Sequence, residues 1–481
     1  MQIDETDGRS YSGSGGELSF METELLHWIE ACFSDIEPAI FDANKRIWGF
    51  AEASGCEYRS SELLMRVLEQ NGFSVRRNVC SRPTAFIAEY GSGHPVVGFL
   101  GEYDALPGLS QAAGVPRPQP AEGSPNGHGC GHCALGSGSL AAALMARRYL
   151  EEHALRGTVR YYGCCDEEVN GVKPHMARAG EFDDVDCVFA WHPGGETGVP
   201  NNTLLAMQSM HVTFTGEKDI EMRSRPARSA CELMNVGVNY LRERIIPEAR
   251  INYAYLDANK PEPPDISRMS MIYAVRAPKA ALVDELSEQV KACAEGAARM
   301  TGTRVEILPQ NRYADRFQNT VVTKILSDAA QAVGPPRWDA ADFALARAFV
   351  SHYDENQRAA MMDTIRRRYP GRSAHEIADR PLDTVVEPFD PSVCKKGFAS
   401  SDVGDVGYAA PTASMRVACS ALGNPAHSWF MTGMAASSIG EKGIACAAKI
   451  LGLAALRVYE APELLAGAQA EREMSIGSPS V

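Results

Sequence analysis

The chain has 481 residues and a formal net charge of -14, and 45% of its residues are hydrophobic. This length exceeds a single hydrophobic core and predicts two domains, while the acidic charge argues against nucleic acid or an anionic membrane as a partner. No apolar run is long enough for a transmembrane helix. The 13 cysteines are scattered and odd in number, which favours reduced thiols in a cytoplasmic protein over a disulfide framework.

The first part of the chain predicts alternating helices and strands. Helices are expected where apolar residues recur at helical spacing, and buried strands where short apolar runs end in polar residues. The expected helices cover residues 21–50, 61–70, 139–150 and 173–179, and the expected strands cover 84–88, 95–100, 158–163 and 186–190. Because polar side chains follow these strands, we expect an α/β sheet with a site along one edge.

The regular alternation of predicted helices and strands changes near residue 205. Strands are expected over 205–214, 250–256, 269–275 and 303–308, with helices over 229–245 and 281–300. This β-α-β-β-α-β order predicts a small α+β domain over 205–312, inserted into a first domain that covers 21–204 and 313–460. The charged stretch 345–395 is expected to be irregular, and residues 1–20 and 461–481 are expected to be flexible tails.

The most informative stretch is GHGCGHC, residues 127–133, in which Cys130 and His132 can reach one metal ion from a single turn. Further candidates follow expected strands or lie in a late loop: Asp104, Glu167, Glu168, His192 and His427. Each alone has a structural explanation, such as a glycine-rich turn, a solvated acidic pair or a core histidine. Together they supply a thiolate, a carboxylate and three imidazoles, which suits a divalent transition metal such as Zn or Mn. Of two adjacent glutamates, one can bind the metal while the other accepts a proton from water.

A series of motifs appears in order along residues 80–450: GEYDALPGLSQ (101–111), NGHGCGH (126–132), DEE (166–168), FDDVD and WHP (182–193), SDVGDV (401–406), GNPAHSW (423–429) and SSIGEKG (437–443). With these motifs the chain resembles the aminoacylase and carboxypeptidase family of metallopeptidases, in the branch typified by aminobenzoyl-glutamate hydrolase. The resemblance implies a metallopeptidase-type catalytic domain, a mixed sheet flanked by helices, with an inserted lid domain that forms a homodimer or a higher homo-oligomer.

The same resemblance implies the roles of the candidate residues. One or two divalent metal ions would be held by five ligands: Cys130, His132, Glu168, His192 and His427. Glu167 would be the general base, and Asp104 would orient the metal ligands by hydrogen bonding without binding the metal itself.

The lid departs from the family pattern in two places. Ile220 stands where a histidine usually stabilises the oxyanion of a cleaved amide, and NKPEPPD (259–265) replaces a second lid motif. The altered segment is rich in arginine, with Arg223, Arg225 and Arg228 close together. Each can be a solvated loop residue, but guanidinium groups also clamp carboxylate or nitro groups, and Arg228 is the favoured candidate.

These departures favour hydrolytic deamination of an activated aromatic amine, such as 5-nitroanthranilate, to the hydroxylated acid and ammonia. Attack on an electron-poor ring carbon would not need the lid histidine, because the charge spreads into the ring. The first alternative is amide hydrolysis of an N-aroyl or N-acyl amino acid, such as p-aminobenzoyl-glutamate. The second alternative is a non-catalytic binding protein on the same scaffold. In both enzymatic hypotheses the partner is a small aromatic acid.

Overall fold

The structure is a computed structural model that describes residues 20–216, 227–256 and 267–477. Its helices are α1 (Phe20–Phe50), α2 (Tyr58–Gln70), α3 (His132–Glu152), α4 (Lys173–Arg178), α5 (Ala227–Leu241), α6 (Ala280–Thr301), α7 (Thr320–Val333), α8 (Ala340–Val350), α9 (Glu355–Arg368), α10 (Ala374–Ala378), α11 (Val403–Ala409), α12 (Trp429–Ala435), α13 (Ser438–Glu460) and α14 (Ala468–Gly477). None of these helices combines the length and the apolar composition that membrane crossing requires.

The strands are β1 (Ser74–Arg77), β2 (Phe86–Ser92), β3 (Val96–Glu102), β4 (Gly157–Cys164), β5 (Cys187–Gly194), β6 (Thr197–Gly198), β7 (Asn202–Thr203), β8 (Ala206–Thr215), β9 (Arg250–Tyr255), β10 (Arg268–Ala277), β11 (Arg304–Tyr313), β12 (Val386–Glu387), β13 (Lys395–Lys396) and β14 (Thr412–Ala418). Eight of them form a mixed sheet in the order β1-β2-β4-β3-β5-β14-β6-β12. Its centre, β4-β3-β5-β14, is parallel.

The helices α3, α7 and α13 pack against this sheet, and α1 covers α3 and α13. The predicted α/β class, a mixed sheet flanked by helices, is therefore confirmed. Close packing of α3 depends on small residues, since a Cβ atom at Gly138 would lie 2.6 Å from Cζ2 of Trp191. This contact brings the start of α3 beside the carboxyl ends of β3 and β5, where polar residues gather.

A second sheet is antiparallel and has the order β11-β8-β10-β9. Its core is built from alternate residues of the strands, such as Phe214, Tyr273 and Val275, which pack under α5 and α6. The intervening residues, including Met207 and Arg276, belong to the opposite face of the same sheet. The order of elements along the chain is the predicted β-α-β-β-α-β.

Two stretches contain more regular structure than the sequence indicated. Residues 345–395 include most of α8 and all of α9 and α10, whose apolar residues form their own cluster with Phe430 and Ile439. Capping boxes at Asp339 and Asp354 begin α8 and α9, so local capping outweighed the high charge of the segment. Near the C terminus, α14 packs against α7, and the Glu471 carboxylate accepts a 2.8 Å hydrogen bond from the Thr320 N–H.

The helical segment α8–α10 is tied to the sheet by Arg368, which is only 2% exposed. Its guanidinium pairs with the fully buried Asp383, and also lies 3.4 Å from Glu196 and 3.1 Å from Glu387.

We expect Arg368→Met to lower the free energy of unfolding by about 3 kcal/mol, because the Asp383 carboxylate would stay buried without its partner. The midpoint of urea denaturation measures this loss. Arg367→Met is the matched control, since the Arg367 side chain is 53% exposed and should contribute less than about 1 kcal/mol. Equal midpoints for the two variants would contradict the assignment of Arg368 as an anchor.

Candidate metal centre

The turn before α3 directs the first two candidate ligands. Gly131 is the N-cap of α3 and has a φ of 84°, so that His132 is the first residue of the helix. A Cβ atom at Gly131 would lie 2.4 Å from Cε of Met431 and 2.7 Å from Cγ of Pro193. Only glycine therefore lets this turn approach the end of β5, which carries His192.

His192 faces Cys130, with 3.3 Å between its Nε2 atom and Sγ of the cysteine. Its Nδ1 atom lies 2.7 Å from the carbonyl oxygen of Pro193, which can only accept, so Nδ1 carries the proton and Nε2 has a free lone pair. Burial, followed by repulsion from His132, lowers the pKa of His192 to about 4. The imidazole is thus neutral, as a metal ligand must be.

Asp104 connects two of the candidate ligands. One of its oxygens lies 2.7 Å from Nδ1 of His132, and the other accepts hydrogen bonds from the Ser54 hydroxyl at 2.7 Å and the Glu168 N–H at 3.0 Å. Burial opposes the charged form, but His132 and these hydrogen bonds lower the pKa of Asp104 to about 2. A charged Asp104 therefore fixes the His132 ring and the turn that carries the two glutamates.

The glutamate turn follows β4 and meets His427 across the site. Glu168 lies 3.8 Å from Nε2 of His132 through one oxygen and 3.4 Å from Nε2 of His427 through the other. Glu167 lies 3.9 Å from the same His132 nitrogen. His427 has a positive φ of 52° in its Gly/Pro loop, and its side chain is 54% exposed.

These side chains fit a divalent metal. Their ligand atoms fall within 4.8 Å of one another in three sets: Cys130, His132 and His192; Cys130, Glu168 and His427; Glu102, His132 and Glu167. Within the described residues, three buried atoms that face the centre have no hydrogen-bond partner, namely His132 Nε2, Glu168 Oε1 and Glu102 Oε2. Burial raises the pKa of the Cys130 thiol to about 12, so a cation is needed to make it a thiolate ligand.

The structure adds two residues that the sequence analysis missed. Glu102, at the end of β3, lies 3.2 Å from Nε2 of His132 and 2.7 Å from the buried ammonium of Lys173. Lys173 also contacts Asp402 at 2.7 Å. Burial, followed by the charges of Glu102 and Asp402, raises the pKa of Glu167 well above its usual value. Glu102 stands two residues before Asp104 in the sequence. This spacing could have marked it, because residues two apart in extended backbone point to the same side.

Of the predicted arginines, only Arg228 lies within the described residues. It is in the first turn of α5, where its exposed guanidinium lies 3.0 Å from Glu232. The structure does not bring it to the metal centre, and its role in substrate binding stays a prediction. Ile220, Arg223, Arg225 and the segment 259–265 lie outside the described residues.

Other arginines do reach the site. A cavity of about 440 Å³ lies between the two sheets and is lined by Glu167, Glu168, His192 and His427. Three arginines line the same cavity: Arg276 from β10, Arg316 just after β11, and Arg416 from β14. They are dispersed in the sequence, and no local arginine-rich motif marked them.

Comparison with known proteins settles the family. The model of peptidase family M20/M25/M40 matches residues 98–375, more than half of the chain. The chain belongs to this family. It is 34% identical over 459 residues to a subunit of the p-aminobenzoyl-glutamate hydrolase of Escherichia coli (strain K12), and the match covers 94% of this chain and 95% of that protein. The recognition made from the sequence motifs is thus confirmed.

Two solved structures show the same fold. A dinuclear metal-binding peptidase of the M20 family from Bacillus subtilis has a TM-score of 0.56 and 16% identity, covering 89% of this chain and 99% of that one. The aminobenzoyl-glutamate utilization protein from Klebsiella pneumoniae has a TM-score of 0.53 and 15% identity, covering 89% of this chain and 98% of that one. With the family membership, the cluster of ligand atoms makes this chain a metal-dependent hydrolase that acts on carbon–nitrogen bonds.

We expect Cys130→Ala and His132→Ala to lower the metal content of the purified protein together with its activity. Cys133→Ala is the matched control, because Cys133 is buried beside the same turn but its sulfur belongs to none of the ligand sets. Mass-spectrometric metal analysis measures the outcome. Full metal content in both ligand variants would show that these side chains do not bind the metal.

Proposed function

We propose that the enzyme hydrolyses the amide bond of N-aroyl or N-acyl amino acids. The observation that carries this proposal is the similarity to the p-aminobenzoyl-glutamate hydrolase along 94% of the chain, with the ligand cluster assembled at one sheet edge. The cavity beside the cluster is lined by cationic side chains, which suits a substrate that carries a carboxylate. These observations favour the amide over the aromatic amine as the scissile group.

In this proposal Cys130, His132, Glu168, His192 and His427 hold one or two divalent metal ions, with Mn and Zn as the expected identities. The two ligand sets that share Cys130 favour two ions. When bound, the metal would polarise the amide carbonyl and acidify the attacking water. Asp104 holds His132 and the Glu168 turn in place through its 2.7 Å and 3.0 Å hydrogen bonds.

Glu167 is the proposed general base. It faces the same cavity as the ligands and lies 3.9 Å from His132, so it is placed to accept the proton of the attacking water. The same carboxyl group can then donate that proton to the leaving nitrogen. The neighbouring Glu102 forms a 2.7 Å ion pair with Lys173, so the positive charge of the lysine offsets the negative charge of that glutamate.

The lid domain is the proposed contact of a homodimer. Leu233, Val236 and Tyr240 follow one another at helical spacing on α5 and are 38%, 50% and 63% exposed. Such an apolar stripe on a helix surface favours burial against a second copy. The cytoplasm stays the expected compartment, and none of the 13 cysteines, all of which lie within the described residues, forms a disulfide.

Deamination of an aromatic amine is the competing hypothesis. It depended on Ile220 and the neighbouring arginines, which lie outside the described residues apart from Arg228. Metal-loaded protein should release glutamate from p-aminobenzoyl-glutamate and no ammonia from 5-nitroanthranilate, as measured by amino-acid analysis and an ammonia assay. Ammonia release without glutamate release would overturn the proposal in favour of deamination.

Glu167→Gln should keep the metal content and lower kcat by a factor of about 10²–10⁴, because the amide cannot accept the proton of water. Turnover and metal content are measured on the same preparation. Wild-type turnover in this variant would remove Glu167 from the mechanism. Absence of turnover in the wild-type protein with every substrate tested would instead favour a binding protein.

A further inference from the structure

Two arginines on the catalytic-domain side of the cavity are placed by backbone structure. Arg416 is on β14 in parallel register with His192 on β5, so both side chains project from the same side of the sheet. Arg316 is held by backbone hydrogen bonds of 3.1 Å and 3.2 Å to Leu204, and its guanidinium donates to the side-chain oxygen of Asn202. Both therefore line the cavity of the candidate metal centre from fixed backbone positions.

These two arginines are unpaired in the part of the chain that the structure describes. Within residues 20–216, 227–256 and 267–477, neither forms an ion pair with a carboxylate, and the buried Nε of Arg316 has no hydrogen-bond partner. Among the same residues, the buried hydroxyl of Ser400, which lines the cavity, also has no hydrogen-bond partner. Burial, followed by repulsion from Arg416, lowers the pKa of Arg316 to about 10.

Two arginines elsewhere in the protein are paired with acids. Arg368 contacts Asp383, Glu196 and Glu387, and Arg160 lies 2.6 Å from Glu89 and 2.7 Å from Asp184. Arg316 is partly buried and has no such acidic partner within the described residues, whereas Arg416 is exposed to the cavity. Donors that are fixed, cationic and unpaired in a cavity are suited to an anion that enters with the substrate.

The number of cations exceeds what one carboxylate needs. Every N-acyl amino acid carries one carboxylate next to the scissile amide, and Arg276 on the opposite wall offers a buried Nε without a partner. Arg316, Arg416 and Ser400 then remain for a second anionic group further along the leaving amino acid.

We propose that Arg316, Arg416 and Ser400 bind the side-chain carboxylate of the leaving amino acid and make the enzyme selective for acidic amino acids. This inference rests on the proposed amide hydrolysis and assigns the residues that determine its specificity. It requires no change in the roles of the metal ligands or of Glu167.

The test compares N-benzoyl-L-glutamate with N-benzoyl-L-glutamine, which share the amide and the α-carboxylate and differ in side-chain charge. In the wild-type protein we expect a higher kcat/KM for the glutamate derivative. Arg316→Gln should reduce the ratio of the two kcat/KM values by roughly 30-fold, the loss typical when one partner of a buried charged hydrogen bond is removed. Arg416 is exposed, so Arg416→Gln should reduce the ratio by a smaller factor.

The ratio is measured within one preparation, so a partly unfolded variant lowers both activities and leaves the ratio unaffected. Arg299→Gln is the matched control, since Arg299 is exposed on α6 of the lid and lies outside the cavity. Its ratio should equal that of the wild type. A wild-type ratio in both Arg316→Gln and Arg416→Gln would overturn the assignment.

A binding measurement separates this inference from the proposed function. If the wild-type protein hydrolyses neither substrate, the proposed function fails, and calorimetric titration with glutarate and with its monoamide still tests the site. Tighter binding of glutarate that disappears in Arg316→Gln would support the second carboxylate site. Binding of inorganic phosphate as tight as that of glutarate would show a general anion site and would overturn the inference.

Discussion

The hydrogen bond between Asp104 and His132 is the contact on which the site depends. Asp104 lies two residues after the end of β3, and His132 begins α3, so this 2.7 Å contact joins the sheet to α3 at the candidate metal centre. The second oxygen of Asp104 accepts the N–H of Glu168 and thereby fixes the glutamate turn. One charged carboxylate thus sets the positions of a candidate imidazole ligand, a candidate carboxylate ligand and the proposed base beside it.

Acidic and cationic side chains both line the cavity. Glu102, Glu167 and Glu168 lie beside the candidate ligands, where the buried ammonium of Lys173 pairs with Glu102 and Asp402. Arg276, Arg316 and Arg416 line the same cavity, and within the described residues no carboxylate pairs with Arg316 or Arg416. A bound metal would balance the glutamates, and an anionic substrate would balance the arginines. An amide with carboxylates on its leaving side is complementary to this arrangement.

The sequence predicted the helices and strands that surround the site because their apolar periodicity is local. It also predicted candidate ligands that the structure brings together, since Cys130, His132 and Glu168 stand in short motifs next to strand ends. It placed the substrate-binding arginines in the lid segment because three arginines lie close together there. That inference depended on local density, whereas the arginines that line the cavity are far apart in the chain and come from three different strands or strand ends.

The sequence by itself determined the family, the α/β class and the chemistry at the metal, because each of these is written in contiguous motifs and in local periodicity. Only the tertiary structure decided which cationic side chains line the cavity of the candidate ligands. Arg416 reaches His192 through the register of β14 on β5, and Arg316 reaches the cavity through its backbone pairing with Leu204. Strand register and long-range pairing join residues that are distant in sequence, so no spacing rule within the chain could have revealed them.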